Sequence, residues 1–536
     1  MSKQVLFDQE ARNKILEGAE ILYKAVSATM GPKGRNAVIG RVMGPPTVTH
    51  DGVTVAKELD LPMSDPAVRQ GAEIIKQAAS KMNDEVGDGT TTVTVLTYHI
   101  MREANRLIAA GHNPMTLAKE IRESAKHIVE LIKHKSRPVK GVEGLTSVAT
   151  ISAGDEQMGS MIASVLDRIT KDGTVIVENG TNPYEIEAEV VKGYKFEQGL
   201  LHPFFMNDAN RKVAEYEDPL VLVTDAKITM LAELDGIVSR VVKEAEKNSI
   251  ILVCDGLEGQ ALQAAINSAA QNIFYITPIA VPGYGDQKDE MLEDIAAVFG
   301  TKPYLTKAGR KLAEAQLSDL GTCSKIISGL TETSILPSET SQEVIDARTK
   351  VVKAYLETLK EEGASEYLQE VSQKRLNALN GQIAIIKVGG KTTQEIEEKK
   401  YRVDDAVAAT RAALDGGIVP GAGVTLYKIA QAMNAETTGA QILRAAIQGP
   451  AKHILINSGF EDDYQVALMA ISEAKDGFGY DMRGDCTELV NLFEAGIVDP
   501  EKVTVEAVIT AVTVATLAMT MGVLIVEEED QKTQLQ

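Results

Sequence analysis

The sequence predicts an α+β multidomain protein whose helical ends fold together around an α/β middle. Three observations predict it. At 536 residues, the chain has the length of roughly three or four domains. Apolar residues recur at helical spacing over 8–29, 66–135 and 392–416. Between 220 and 279, short apolar runs alternate with helical stretches, the pattern of strands joined by helical crossovers.

The elements follow in order. Ile15, Ala19, Leu22 and Val26 form one apolar stripe, and Gly31-Pro32-Lys33-Gly34 stops that helix. Asn36–Ile39 and Thr47–Thr49 read as short strands before the turn at Asp51-Gly52. Helical periodicity then dominates to 135 and changes character near Arg137-Pro138. Leu220–Val223, Ile250–Val253 and Ile273–Ile279 read as strands, and this middle section ends near Asn380-Gly381. A helix over 392–416 is interrupted by Gly416-Gly417, and helical patterning then runs toward the C-terminus. Val505–Val526 is apolar, but it carries Glu506 and four threonines and ends in Glu527-Glu528-Glu529-Asp530. A buried helix followed by a strand fits it better than a membrane span.

Composition narrows the function. A net charge of −21 repels a nucleic-acid backbone and leaves no basic footprint for one. Any bound polyphosphate therefore needs a cation between itself and the protein. Aromatic residues are only 4 % and tryptophan is absent, so the cores must be built from Ala, Val, Ile and Leu. Cys254, Cys323 and Cys486 are few, distant and odd in number, which points to a reducing compartment and no metal cluster. Met1–Glu10 lacks the apolar stretch of a signal peptide. The expectation is a cytoplasmic protein with no nucleic-acid or membrane partner.

Gly87-Asp88-Gly89-Thr90-Thr91-Thr92 carries the strongest chemical signal. Asp88 can hold a magnesium ion through oxygen. Gly89 lets the backbone approach closely, and the following hydroxyls and helix-start N–H groups can face phosphate oxygens. Thr90–Val95 is nevertheless rich in β-branched residues, so an Asp-Gly turn entering a strand is the competing reading. Thr29-Met30-Gly31-Pro32-Lys33-Gly34-Arg35 is a Gly-rich helix end but not a Walker A loop. Arg402-Val403-Asp404-Asp405 reads as the opening of a helix with Val403, Ala406, Val407 and Thr410 inward. Neighbouring helical residues point about 100° apart, so only one of the two aspartates can orient a water at a phosphate. The other is a solvated or N-terminal charge.

These segments have an order: GPKGRN (31–36), THDGVTVA (49–56), GDGTTT (87–92), AVPGYGD (280–286), RVDDAVAATRAAL (402–414), GAG (421–423) and GIVDP (496–500). Together they resemble the group I chaperonins, the GroEL type, over essentially the whole chain. The resemblance implies a mainly helical equatorial domain (1–136 and 417–536), a small intermediate domain (137–192 and 382–416) and an α/β apical domain (193–381). It implies an ATP hydrolase that binds unfolded client proteins on its apical domains. Folding would be promoted in a chamber capped by a GroES-type co-chaperonin, within a homo-oligomer of two stacked seven-membered rings. ATP and Mg2+ are the implied cofactors, with K+ a candidate companion cation.

Carried over by motif, Thr29, Met30, Gly31, Pro32 and His50 would line the nucleotide, with Gly89, Thr90, Thr91 and Thr92 on the phosphates. Asp88 would hold magnesium, and Ala422, Asp481, Met482 and Asp499 would complete the site. Asp405 would be the hydrolytic carboxylate, brought in by rotation of the intermediate domain about Gly193, Gly381 and Gly416-Gly417. Clients would meet Leu200, Leu201, Phe204 and Phe205 on an extended segment, Leu234, Ile237 and Val238 on one helix, and Leu262 and Ile266 on another. Asp235 and Asn267 stand where the family has aliphatic residues, which implies a more polar groove. The family's usual Lys is here His50, its triple glycine is Gly421-Ala422-Gly423, its Asn-Ala-Ala is Asp481-Met482-Arg483, and no Gly-Met tail follows. These departures make a ring-forming scaffold with weak or lost hydrolysis the alternative. A metabolic enzyme lacks support, because the seven histidines show no clustered ligand spacing.

Overall fold

The computed structural model describes residues 2–40, 46–61, 65–169, 174–180, 182, 185–208, 211–283, 286–361, 366–484 and 488–528. Tyr284, Gly285, Cys486 and the tail Gln531–Gln536 lie outside the described residues. Two compact units form. The first takes Met1–Asp167, Val177–Ala188 and Ile386–Gln536; the second takes Arg168–Ile176 and Glu189–Ile385.

The first unit is built on helices whose ends are written in the sequence. Asp65 caps Pro66–Val86 by accepting from Val68 N–H, with proline at the helix start. Asn113 caps Pro114–Lys135 through Met115 and Thr116 N–H. The helices Asp8–Ser27 and Pro66–Val86 pack at glycines. A Cβ on Gly18 would lie 1.8 Å from Val68 O, and one on Gly71 would lie 2.0 Å from Ile15 O. The common core contains Ile15, Leu22, Ile75, Met82, Leu96, Ile100, Ile121 and Ile128, none more than 1 % exposed. Each such side chain contributes about 1.5–3 kcal/mol through burial.

Both chain ends enter this unit. Ser2–Phe7 pairs antiparallel with Val523–Glu528. The preceding helix, Glu501–Met519, is long and apolar enough to cross a membrane, alone in this among the described residues. Yet 67 % of its apolar stretch is buried inside the protein, as expected of a core helix.

Thr90–Ala109 is helical despite its β-branched start. Thr94 Oγ1 donates to Thr90 O at 2.9 Å and Thr97 Oγ1 to Val93 O at 2.7 Å, so buried hydroxyls are satisfied along the helix itself. The helix carrying Asp404 and Asp405 runs from Thr393 to Gly416. Its cap is Thr392, whose Oγ1 accepts from Glu395 N–H at 3.2 Å. The two aspartates therefore lie in the helix middle, not at its opening, and the reading of Asp404 as an N-terminal charge is corrected.

The second unit is organised by a seven-stranded mixed sheet. Leu220–Val223, Ser249–Cys254 and Tyr275–Ala280 are neighbours and run parallel. Gly321–Ser328, Thr333–Pro337 and Tyr194–Phe196 continue the sheet antiparallel, and Ala214–Glu217 joins at Gly321–Ser328. The continuous apolar runs Val221–Val223 and Ile250–Cys254 are buried to 1 % exposure or less, as parallel strands covered on both faces require. Gly193 donates its N–H to Gly381 O at 3.0 Å, and a Cβ on Gly193 would collide with Ile383 at 2.1 Å. Close approach alone accounts for glycine at 193.

Candidate functional site

Within the first unit, nine separate stretches of chain line one cavity of about 1070 Å3. Thr29, Met30, Gly31, Pro32, His50, Asp88, Gly89, Thr90, Thr91, Thr92, Asp405, Ala422, Asp481, Met482 and Asp499 all reach its wall. They come from positions as distant as 29 and 499, so the fold gathers every residue picked out for nucleotide contact or hydrolysis.

The first wall is the turn at 87–89. Gly87 and Gly89 both have positive φ, 69° and 79°, a region glycine enters freely. Gly89 precedes the Thr90–Ala109 helix without a side-chain cap. The first N–H groups of a helix have no partner inside it, so this start can receive an anion. Asp88 folds back onto it, accepting from Gly89 N–H at 2.5 Å. Burial pushes the Asp88 carboxyl up to about 6, with the Asp51 charge adding to the rise and hydrogen bonds from Gly89 and Ser152 opposing it.

Opposite stand other carboxylates. Asp51 caps Gly52–Glu58, accepting from Val53 N–H at 3.1 Å and Thr54 N–H at 2.8 Å. Asp405 is raised well above the ordinary carboxylate range, first by burial and then by the charges of Asp51, Asp88 and Asp404. Asp499, on a strand paired to Ile418–Pro420, is pushed up to about 7 by burial and then by Asp88. Acids that raise one another in a shared space create demand for a cation. Among the described residues, no group of three or more His, Cys, Asp or Glu converges as a ready metal site. That fits magnesium, which takes one or two carboxylates and completes its shell with water and phosphate oxygens. Asp88 and the adjacent threonine hydroxyls are the hard oxygen donors available to it.

The second wall is apolar. Met30, Pro32, Pro450, Ile454, Met482 and Ile497 lie in it, a surface suited to a flat ring. Asn457 holds the Gly31 loop from the C-terminal segment, its Nδ2 donating to Ser27 O and Met30 O, both at 2.9 Å. His50 is lowered by burial first and by the Arg402 charge second, so it is neutral at pH 7.

Ala422 adopts φ 55°, the left-handed region, at the cavity wall. Its neighbour Gly423 cannot carry a side chain, since a Cβ there would lie 2.5 Å from Ala451 N. The left-handed conformation costs an alanine about 1–2 kcal/mol, against roughly 0.5–1 kcal/mol for the extra entropy glycine loses on folding. Ala422→Gly is therefore expected to raise stability by up to about 1 kcal/mol, read by denaturant unfolding without nucleotide. A clear loss of stability would show that methyl packing outweighs the strain.

Sequence reasoning missed several wall residues. Glu398, Tyr401 and Arg402 share a helix face with Asp405, at the i, i+3, i+4, i+7 spacing. That spacing was available once the 392–416 helix was drawn. Thr150 and Ser152, at the end of the Gly141–Ala153 helix, have no local signal and arrive by tertiary packing alone.

The second unit treats the expected client-binding residues differently. Leu200, Phe205, Leu234 and Ile237 are 0–6 % exposed and belong to its core. Their assignment to a surface groove is corrected. In the Asp235–Glu244 helix the inward stripe is Leu234, Ile237 and Val241, which packs on the unit's own core. Leu201, Val238, Leu262 and Ile266 are partly buried against it, and Phe204 is 45 % exposed. Asp235 and Asn267 are exposed. Of the apolar residues on these elements, Phe204 and Val242 are exposed, and Val238, Leu262 and Ile266 are partly open.

A model of the TCP-1/cpn60 chaperonin family matches residues 22–529. The chaperonin gp146 of bacteriophage EL 2 (Pseudomonas aeruginosa), crystallised in the presence of ATP-BeFx, is similar in structure over 98 % of this chain and 99 % of its own. The TM-score is 0.65 and the identity 20 % in crystal form II. Crystal form I gives a TM-score of 0.59 over the same shares of both chains. At that identity the likeness is one of fold.

Proposed function

Because this chain belongs to the TCP-1/cpn60 chaperonin family, we propose that it is an ATP-driven folding machine of the GroEL type. One observation carries the nucleotide reading: an uncapped helix start beside Asp88 shares a cavity with Asp405, delivered from a distant helix. The open N–H groups of Thr90–Thr92 would take phosphate oxygens, Asp88 would hold magnesium, and the apolar wall would take the adenine ring. Asp405 would orient the attacking water and accept its proton; a carboxylate whose proton affinity is raised by burial and by neighbouring acids suits that task. Magnesium would supply neutralisation of charge on the phosphates.

The client surface of this reading is made by exposed Phe204 and Val242 with the partly open Val238, Leu262 and Ile266, fewer residues than the sequence suggested. Unfolded chains would bind there and be released into a chamber by nucleotide-driven rotation of the segments 137–192 and 382–416. A GroES-type cap, stacked seven-membered rings and a cytoplasmic setting belong to the same proposal. A scaffold with weak hydrolysis is the competing reading, favoured by the Ala422 methyl and by neutral His50. Electron microscopy of purified protein tests the assembly: closed rings are expected, and monomers at micromolar concentration would contradict it.

A further inference from the structure

The cavity holds too little positive charge for a polyphosphate. Eight of its lining residues are Asp or Glu, against two arginines and His50. A nucleoside triphosphate with one divalent cation still brings net negative charge into that wall.

The three candidates for a compensating cation are not equivalent. Arg483 is occupied at the rim: Nε donates to Asp481 Oδ1 at 2.9 Å, and Nη2 donates to Asp481 Oδ2 at 2.8 Å and to Ala495 O at 3.1 Å. His50 is held neutral by burial and by the neighbouring Arg402 charge. Arg402 remains. It lies three residues before Asp405, which places the two about 60° apart on one helix side and about 4.5 Å apart along the axis. Three residues beyond Asp405, Ala408 lies 2.4 Å from where a Cβ on Gly87 would be, so this part of the helix abuts the Gly87–Gly89 turn. The Arg402 side chain is 41 % exposed and, among the described residues, pairs with Glu398, Nε to Oε1 at 2.6 Å. That contact engages Nε, and Nη1 lies 4.0 Å from where a Cβ on Gly154 would be, another residue of the cavity wall. A guanidinium held this way can grip a phosphate with two parallel N–H groups.

We propose that Arg402 is a phosphate-binding residue that reads the terminal phosphate of the bound nucleotide through its Nη edge, with Glu398 fixing its Nε. The proposal rests on the reading of this cavity as a magnesium–ATP site. It adds a distinction that reading does not make, because a contact to the terminal phosphate separates ATP from ADP.

The test uses full-length protein and measures the affinity of Mg-ATP and of Mg-ADP by calorimetry, alongside steady-state hydrolysis. Arg402→Gln is expected to weaken ATP by roughly 10- to 100-fold, the range for a hydrogen bond to a charged group, and to leave ADP within about twofold. Arg402→Lys should recover part of the loss. His50→Lys in the Arg402→Gln background should also recover part of it, because position 50 is close enough for the two side chains to sense one another's charge. Equal weakening of ATP and ADP, with rings intact, would mean a structural role and overturn the proposal. Unchanged ATP affinity in Arg402→Gln would overturn it alone, leaving the cavity reading in place. Absence of any nucleotide binding by the unmodified protein would overturn the cavity reading and this proposal with it.

Discussion

Asp88→Lys is expected to abolish magnesium-dependent nucleotide binding, the largest effect any single change at this site should have. Asp88 combines three properties. It sits between two glycines with positive φ, it abuts the uncapped start of the Thr90–Ala109 helix, and burial raises its carboxyl to about 6. An ammonium there would occupy the cation position and repel magnesium. Removing one partner of a desolvated charge contact typically costs 2–5 kcal/mol, so affinity for Mg-ATP should fall on the order of 100-fold or more. Asp88→Asn guards against misfolding, because its amide oxygen can keep the Gly89 N–H contact while the charge is lost. It should also weaken binding strongly. Calorimetry showing unchanged Mg-ATP affinity in both variants would remove Asp88 from the metal role.

Asp405→Ala is expected to separate binding from chemistry. The carboxylate lies mid-helix, with Val403, Ala406 and Val407 buried beside it, so its backbone is fixed independently of its own charge. Removing it also removes a like charge from beside Asp88, which should leave nucleotide affinity equal or slightly higher. Turnover should fall by about 10²- to 10⁴-fold, the usual share of a positioned general base. Near-normal hydrolysis by this variant would transfer the role elsewhere, with Asp404 the next residue to change.

Much of the fold was legible because its signals are local. The caps at Asp65 and Asn113, each followed by proline, and the apolar stripe through Ile15 and Leu22 announce helices that are present. The helix over 392–416 was legible as a whole, but Arg402–Asp405 was also read as a helix opening, because two adjacent aspartates imitate an acidic first turn; the capping pattern Thr392-x-x-Glu395 marks the true start. Thr90–Val95 pulls both ways. Strand propensity loses there because the threonines bond back along the helix and Gly89 sets its start. The client residues were misjudged for a different reason. Periodicity identifies Leu234 and Ile237 as one apolar face but cannot say whether that face meets the unit's own sheet or a partner. Ser152 and Thr150 illustrate the limit: nothing local marks a hydroxyl that packing alone brings beside Asp88, more than 60 residues away in sequence.

The central claim is that this cavity hydrolyses magnesium–ATP. Steady-state release of phosphate from ATP by the purified protein, with magnesium and with the metal chelated, tests it most directly. Turnover that requires magnesium and disappears in Asp405→Ala is the predicted result. Assembled protein that binds ATP yet releases no phosphate above background would contradict the claim and leave a nucleotide-binding scaffold.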